Sequence, residues 1–589
     1  LADPSDPAHS NPVATSKNDV DDSDLYYFRP MMLFQRDKFK LLFTYQHQHE
    51  WSQGPDQDSY PGGPAPTSFS PSGDPPNAAF GNPGFQGQTN PTFDQAFPSK
   101  FKEYQTGDFI LQPLTRNIDV GSIETSYDLG FATLTSVTSG FDTISHSVDD
   151  SSGFYQASLG FFYEGYPRTL LYSTRAYRDY AFTEEIRLVS KSTGPLTYSL
   201  GFFYDQDRNH LHQEDNMEGY TVYEAAQGFG GTGTDLGYVD DREIKFQDLA
   251  GFGELTWHVT PKWQVTGGVR VFRQDADIQS TIELPICGSS CDSVAGSSNP
   301  LGITVGSERE ITKKALMKFN SSYEFAPHFL SYFTFSQGER RGGANGTPTL
   351  GPFAENPVFS FYQPDTVDNY ELGIKGRVGG RFEFSSAFYW VVWHNPQVQV
   401  STPDGSFPAI VNGKGARSRG IDLEARYKVN DKITLSATYG YVDASLTAPI
   451  IVLPTYNPDG SVHTKGDVYG QSGTHLPGTP THTASIGVDY VTPIQDGLTL
   501  DAHTDISYRS GMTTDLTPAV NVNLDGFAML NASVGVNRDA WRAALFADNI
   551  TNTRGVLGAE NPDEYDVRAL NNRLSRPLTI GFRFGYKYR

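Results

Sequence analysis

The chain closes on LTIGFRFGYKYR, residues 578–589. Leu578, Ile580, Phe582, Phe584, Tyr586 and Tyr588 alternate with Thr579, Gly581, Arg583, Gly585, Lys587 and Arg589. A strand points successive side chains to opposite faces, so this segment has one aromatic, apolar face and one small or basic face. The same alternation recurs upstream. In YELGIKGRV, 370–378, Tyr370, Leu372, Ile374 and Val378 oppose Glu371, Lys375 and Arg377. In GIDLEARYKV, 420–429, Ile421, Leu423, Ala425 and Tyr427 oppose Asp422, Glu424, Arg426 and Lys428. In LTLDAHTDISYR, 498–509, Leu498, Leu500, Ala502, Ile506 and Tyr508 oppose Asp501, His503, Asp505 and Arg509.

Composition is consistent with many such strands. Only 37% of the 589 residues are hydrophobic, yet 13% are aromatic, and mean hydropathy is −0.44. No run approaches the ~20 apolar residues of a membrane-spanning helix. A transmembrane barrel needs none, because alternation spreads its apolar residues along polar strands. The net charge of −23 excludes a basic nucleic-acid-binding surface. No nucleophile, base and orienting residue group together, so an enzyme is not expected, and no cofactor is implied.

Nineteen alternating segments can be marked from residue 24 to 589, many longer than ten residues, where globular strands average about five or six. Their connections alternate strictly. Tight turns fall at Arg36-Asp37-Lys38, Thr260-Pro261-Lys262, Ala326-Pro327-His328, Gly379-Gly380, Asn430-Asp431-Lys432 and Asn537-Arg538-Asp539. Long polar loops separate them, the largest about 53–116. Outer-membrane barrels sort their connections this way, with short turns periplasmic and long loops extracellular. The expected fold class is therefore all-β, an antiparallel transmembrane β-barrel occupying 24–589. Residues 1–23 then form an extracellular segment, and an odd number of strands is expected to precede them.

Specific motifs sharpen this reading. QPDTVDNYELGIKGRVGGRFEFSSAFYWVVWHNPQVQV, 363–400, resembles the mid-barrel signature of TonB-dependent outer-membrane receptors, with Asp365 where Glu is usual. SQGERRGGANG (336–346), just before it, resembles the family's Gly-Gly-containing strand end, and GKGARSRGIDLEARY (413–427), LFADNITNTRG (545–555) and RPLTIGFRFGYKYR (576–589) resemble later signatures of the same family, in order. TSYDLGFATLTSVTS, 125–139, fits an early barrel hairpin. The resemblance implies a 22-stranded barrel, of which about nineteen strands lie here, with the family's plug and first strands absent from this sequence. It implies import of a scarce, bulky nutrient such as a ferric siderophore. The implied partners are TonB with ExbB–ExbD acting through the plug, outer-membrane lipid and lipopolysaccharide, a small-molecule or metal-chelate ligand, and a surface lipoprotein. The alternative is a plugless passive pore or a surface receptor.

Candidate ligand contacts lie at the loop end. Tyr60, Phe69, Phe80 and Phe85 decorate the long Gly/Pro-rich loop, where they can stack on a ligand or pack into a cap of their own. Arg340 and Arg341 can attract an anionic chelate or pair with loop acids. His47/His49 and His210/His212 each place two imidazoles on one strand face. The first pair shares the face of Phe43 and Tyr45 and reads as part of an interfacial belt, with metal binding as the alternative. Cys287 and Cys291, in CGSSC, suit a small disulfide loop; free thiols or a metal are the other readings.

Overall fold

The computed structural model describes residues 22–54, 60–61, 110–151, 171–192, 194–227, 233–285, 303–349, 354–403, 407–456, 459–495, 497–516, 521–560 and 571–587. Twenty strand segments form one antiparallel sheet. The first two, Ser23–Phe28 and Met31–Arg36, lie along opposite ends of the same neighbour and make one strand, β1. Twenty segments minus this one join leaves nineteen strands. The break falls at Arg29-Pro30. Proline has no N–H for the ladder, although its carbonyl still accepts from Tyr45 N at 3.2 Å.

The remaining strands are β2 (Phe39–Ser52), β3 (Leu114–Asp128), β4 (Ala132–Asp150), β5 (Leu171–Ser190), β6 (Leu196–Met217), β7 (Leu236–Thr260), β8 (Trp263–Glu283), β9 (Thr304–Ala326) and β10 (Phe329–Arg340). They continue as β11 (Asp365–Val378), β12 (Phe382–His394), β13 (Gly415–Lys428), β14 (Ile433–Leu446), β15 (His482–Gln495), β16 (Leu498–Arg509), β17 (Phe527–Arg538), β18 (Trp541–Asp548) and β19 (Thr579–Tyr586). Each pairs with its sequence neighbours, so the sheet is an uninterrupted meander.

Short and long connections alternate along all nineteen strands, as the sequence predicts. The turns have the chemistry that tight hairpins demand. Gly379 and Gly380 both take positive φ, 58° and 66°, the type I′ pattern, and Arg381 N donates to Val378 O at 3.2 Å. Asp37, His328 and Asp539 supply the left-handed residue in three others. At the opposite end β5 to β9 run 20 to 25 residues and project as a tall wall.

Several strand boundaries differ from the sequence reading: β5 and β7 start six residues before the expected 177 and 242, and two strands stop six residues short. The segment expected at 381–400 ends at His394, because Asn395 turns the backbone to φ 50°; Gln397–Ser401 then pairs with Pro408–Asn412 in a separate loop hairpin. The segment expected at 541–554 ends at Asp548, where Asn549 and Asn552 adopt φ 51° and 49°.

The two faces follow from register. Arg341, just beyond β10, reaches Asp207 on β6 and lies over Phe246 on β7, so the face carrying Asp207 and Phe246 is the inner one. Tracing the ladders from there puts Glu371, Lys375, Asp422, Glu424, Arg426, Asp501 and Asp505 inside, and Leu423 and Tyr427 outside. Leu578, Ile580, Phe582, Phe584 and Tyr586 are exposed on the outer face, as the alternation predicts. Arg583 lies inside, over the Phe546 ring at 4.1 Å.

Among the described residues no pairing joins β1 to β19. Their loops nevertheless meet: Tyr60–Pro61, after β2, pairs with Asn571–Asn572, before β19. The sheet therefore curls until its two ends approach each other at the long-loop end.

Candidate functional site

The main apolar core of this chain is not in the barrel wall but in the long loops. Phe359, Val400, Leu446, Ile450, Tyr469 and Leu516 come from different loops and strand tops and pack together, with Phe359 and Tyr469 at 0% exposure. Their rings meet edge to face at 6.4 Å. Burying a side chain of this size contributes roughly 1.5–3 kcal/mol, so the collar is a packed body rather than a set of loose loops.

Polar residues fasten the collar. Asn345 donates to the carbonyls of Phe359 and Ile410 at 2.7 and 2.8 Å and accepts from Ile410 N at 2.9 Å. Asn356 donates to Leu453 O at 3.0 Å. Buried Glu355 accepts from the Thr402 hydroxyl at 2.6 Å. The 341–349 segment also folds onto the inner face of β7. The Tyr238 hydroxyl donates to Gly346 O at 2.7 Å, and Arg242 donates to Ala344 O at 2.9 Å. Burial pushes the Tyr238 phenol well above its ordinary pKa; it also raises the Asp240 carboxyl, against the opposing pull of Arg242. The loop thus crosses the long-loop end of the lumen and narrows its mouth.

Arg340 and Arg341 stand at this junction, and both have partners. Arg340 donates to Asp365 at 2.6 Å and lies over the Trp393 ring at 5.5 Å. Arg341 donates to Asp207 at 2.6 Å with its guanidinium 4.2 Å from the Phe246 centroid. The acids that neutralise them come from strands β11 and β6, not from the loops. Asp365 is 3% exposed and also accepts from Trp393 Nε1 at 3.0 Å and Gln397 N at 3.1 Å. Gln397 in turn donates to Arg341 O and Gln363 O at 2.8 and 3.0 Å. Sequence reasoning noticed Asp365 only as an aspartate where glutamate is usual. Its role depends on a tryptophan 28 residues away, which spacing alone does not reveal.

The inner wall carries hydrogen-bonded polar pairs along its length. The Tyr332 hydroxyl donates to Glu371 at 2.5 Å, Arg542 to Asp501 at 2.6 Å, and Asn531 to Asp505 at 3.0 Å. The barrel interior can therefore hold water, polypeptide or a polar ligand, whereas the outer face cannot.

The remaining candidates separate. His47 and His49 face outward, bonded to Asp119 and Asn117 at 2.8 and 2.7 Å, and Tyr26 stacks on His49 at 5.0 Å. His212 and His210 share Asp241 on the outer face of β6 and β7. Among the described residues no group of three or more His, Cys, Asp or Glu is arranged to hold a metal ion. Tyr60 is placed by its backbone pairing with Asn572. Phe69, Phe80, Phe85, Cys287 and Cys291 lie outside the described residues.

An antiparallel meander with an apolar outer face, a polar lumen, tight turns at one end and a packed loop collar at the other defines an outer-membrane type of β-barrel. The sequence matches the TonB dependent receptor-like, beta-barrel family over residues 45–550, and the chain belongs to that family. It is 25% identical over 182 residues to the pesticin receptor of Yersinia enterocolitica, covering 31% of this chain and 24% of that protein. It is 24% identical over 223 residues to the ferrioxamine receptor of Yersinia enterocolitica, covering 38% of this chain and 26% of that one. The matches thus span about a quarter of these relatives' lengths. Among solved structures, the ferric yersiniabactin uptake receptor from Yersinia pestis superposes with a TM-score of 0.68 over 96% of this chain and 71% of that chain, at 13% identity. At that identity the likeness is one of fold.

Proposed function

We propose that this chain is the barrel wall and extracellular collar of an outer-membrane importer that takes up a ferric siderophore by TonB-dependent transport. The observation that carries this reading is the pairing of family membership with a polar lumen whose outer mouth is narrowed by a pre-packed collar. A passive pore needs a wide mouth; a selective importer needs a rigid rim that admits one ligand. The short turns then face the periplasm, and the outer face meets lipid and lipopolysaccharide. The plug that couples to TonB, together with the strands that bring β1 and β19 into a closed wall, comes in this reading from polypeptide outside these 589 residues.

The test is uptake. A strain lacking the gene should lose growth and radioiron uptake on one ferric siderophore under iron limitation, and a TonB-deficient strain should behave alike. Unchanged iron uptake with a growth defect on a particular carbon source would move the substrate to another nutrient class. A second reading, a surface receptor for a protein toxin, draws on the pesticin receptors among the relatives; toxin sensitivity lost with the gene but independent of iron supply would favour it.

A further inference from the structure

A ring of charged and hydrogen-bonded pairs marks the upper edge of the outer apolar face: His47 with Asp119, Asp142 with Arg178, Asp368 with His394 and Arg419 with Asp443. Below it on β3 to β5, down to the tight turns, the outward positions are Phe, Leu, Ile, Tyr and small or uncharged residues. Among the described residues one charged side chain interrupts that band. Glu184 lies on β5 between Phe182 and Ile186, both exposed on the outer face. Cross-strand partners confirm its side: it pairs with Thr138 on β4 and Tyr204 on β6, in the row that contains Ile123 and Leu249.

Its surroundings are equally unlike the rest of the band. The Ser136 hydroxyl donates to one carboxylate oxygen at 2.7 Å and the Thr138 hydroxyl to the other. Thr125, Gly121 and Gly140 continue the patch on β3 and β4. A Cβ built on Gly121 would meet nothing within 4 Å, so the wall is recessed there with open space outside it. Elsewhere the same depth is filled by side chains such as Phe388, Leu423, Ile486 and Leu545.

An ionisable group facing hydrocarbon is costly and calls for a partner. A carboxylate accepts at about four lone-pair sites, and the two hydroxyls occupy one on each oxygen. The patch is thus an acceptor with capacity left on its outer side, set in a recess that lets another backbone come close. Charge complementarity selects a donor. A second copy would bring carboxylate against carboxylate, which is repulsive. An amine lipid headgroup lies at the interface, whereas Glu184 is two outward positions below Tyr180 and two above Leu188. We propose that the outer wall of β3–β5 is a docking face, inside the bilayer, for a different membrane protein that presents a lysine or arginine side chain to Glu184. This inference does not depend on what the barrel transports.

The test uses the full-length protein in its own outer membrane, with a photo-crosslinking amino acid at Thr125 and, as a control on another wall, at Ile421. The expected result is one protein adduct from position 125 and none from 421, with the crosslinked peptide carrying a lysine or arginine at membrane depth. Glu184→Leu and, separately, Gly121→Leu should each reduce that adduct at least tenfold while the barrel keeps its heat-modifiable gel mobility. Adducts to lipid alone or to a second copy of this chain, a partner peptide without a basic residue, or an adduct unchanged in Glu184→Leu would each overturn the proposal. The wild-type peptide decides the matter even if a variant fails to assemble.

Discussion

Asp365 shows how much one carboxylate can organise. It accepts from Arg340, Trp393 and the Gln397 backbone, and so ties strands β11 and β12 to the loop hairpin that follows. Asp365→Ala would leave these donors short of an acceptor, at a cost of about 1–3 kcal/mol, because Arg340 is partly exposed and recovers some hydration. The expected outcome is faster proteolysis within 395–414 with the barrel intact, measured by limited digestion and gel mobility. His212 offers a pH test beyond the charged ring. Burial works against its charge, but its hydrogen bonds to the Asp241 and Glu214 carboxylates outweigh it, and its pKa is raised. A raised folded-state pKa means the contribution is complete below the free imidazole value of about 6.5 and disappears as pH climbs through the folded value. Hydrogen exchange at the tops of β6 and β7, corrected for intrinsic rates, should show more protection at pH 6 than at pH 9. Asp241→Asn should shrink that difference.

Within an element, the alternation can be tested one residue at a time. Leu423 and Glu424 are neighbours on β13 with opposite surroundings. Leu423→Arg should destabilise the folded barrel in lipid by about 2–4 kcal/mol, while Glu424→Arg should cost much less, since the lumen solvates charge. Denaturant titrations in vesicles read both; equal costs would reverse the face assignment. The Gly379-Gly380 turn is a second test. Replacing both by Ala forces two left-handed residues to carry a Cβ, about 1–2 kcal/mol each, and should slow assembly of the β11–β12 hairpin in refolding assays. Most of this was legible in the sequence, because period-two patterning and turn residues are local properties. The misplaced strand end at His394 was not. The residues that follow, Gln397 to Ser401, have strand character and do form a strand, but with Pro408–Asn412, a pairing decided by the collar.

For the whole molecule, the pairing of Pro61 with Asn571 brings the first and last long loops together. Paired antiparallel residues have Cα atoms about 4.5–5.5 Å apart, within disulfide range. Pro61→Cys with Asn571→Cys should therefore oxidise to an internal crosslink, seen as a mobility shift under non-reducing conditions. Cysteine at Asn571 with one at Leu453, on the collar, should not. Failure of the first pair would mean that the sheet does not curl as described. The collar itself was invisible in advance. Phe359, Val400, Leu446 and Tyr469 are distributed over loops and a strand top without periodicity, and only the closing of the wall brings them within contact distance.

Sequence alone determined the strand count, the two-faced alternation along the strands and the sorting of short turns from long loops, because each depends on neighbours one or two residues apart. It also ordered the motifs that point to the family. Tertiary structure decided the rest: that Arg340 and Arg341 are neutralised by Asp365 and Asp207, that the loops share an apolar core, and that Glu184 stands in the outer band. In the linear sequence Glu184 and Glu185 look alike, one acid on each face of the same strand. Which of them meets lipid depends on which way the sheet curls, and the long-range contacts that fix that curl, such as Arg341 with Asp207, join residues 134 apart.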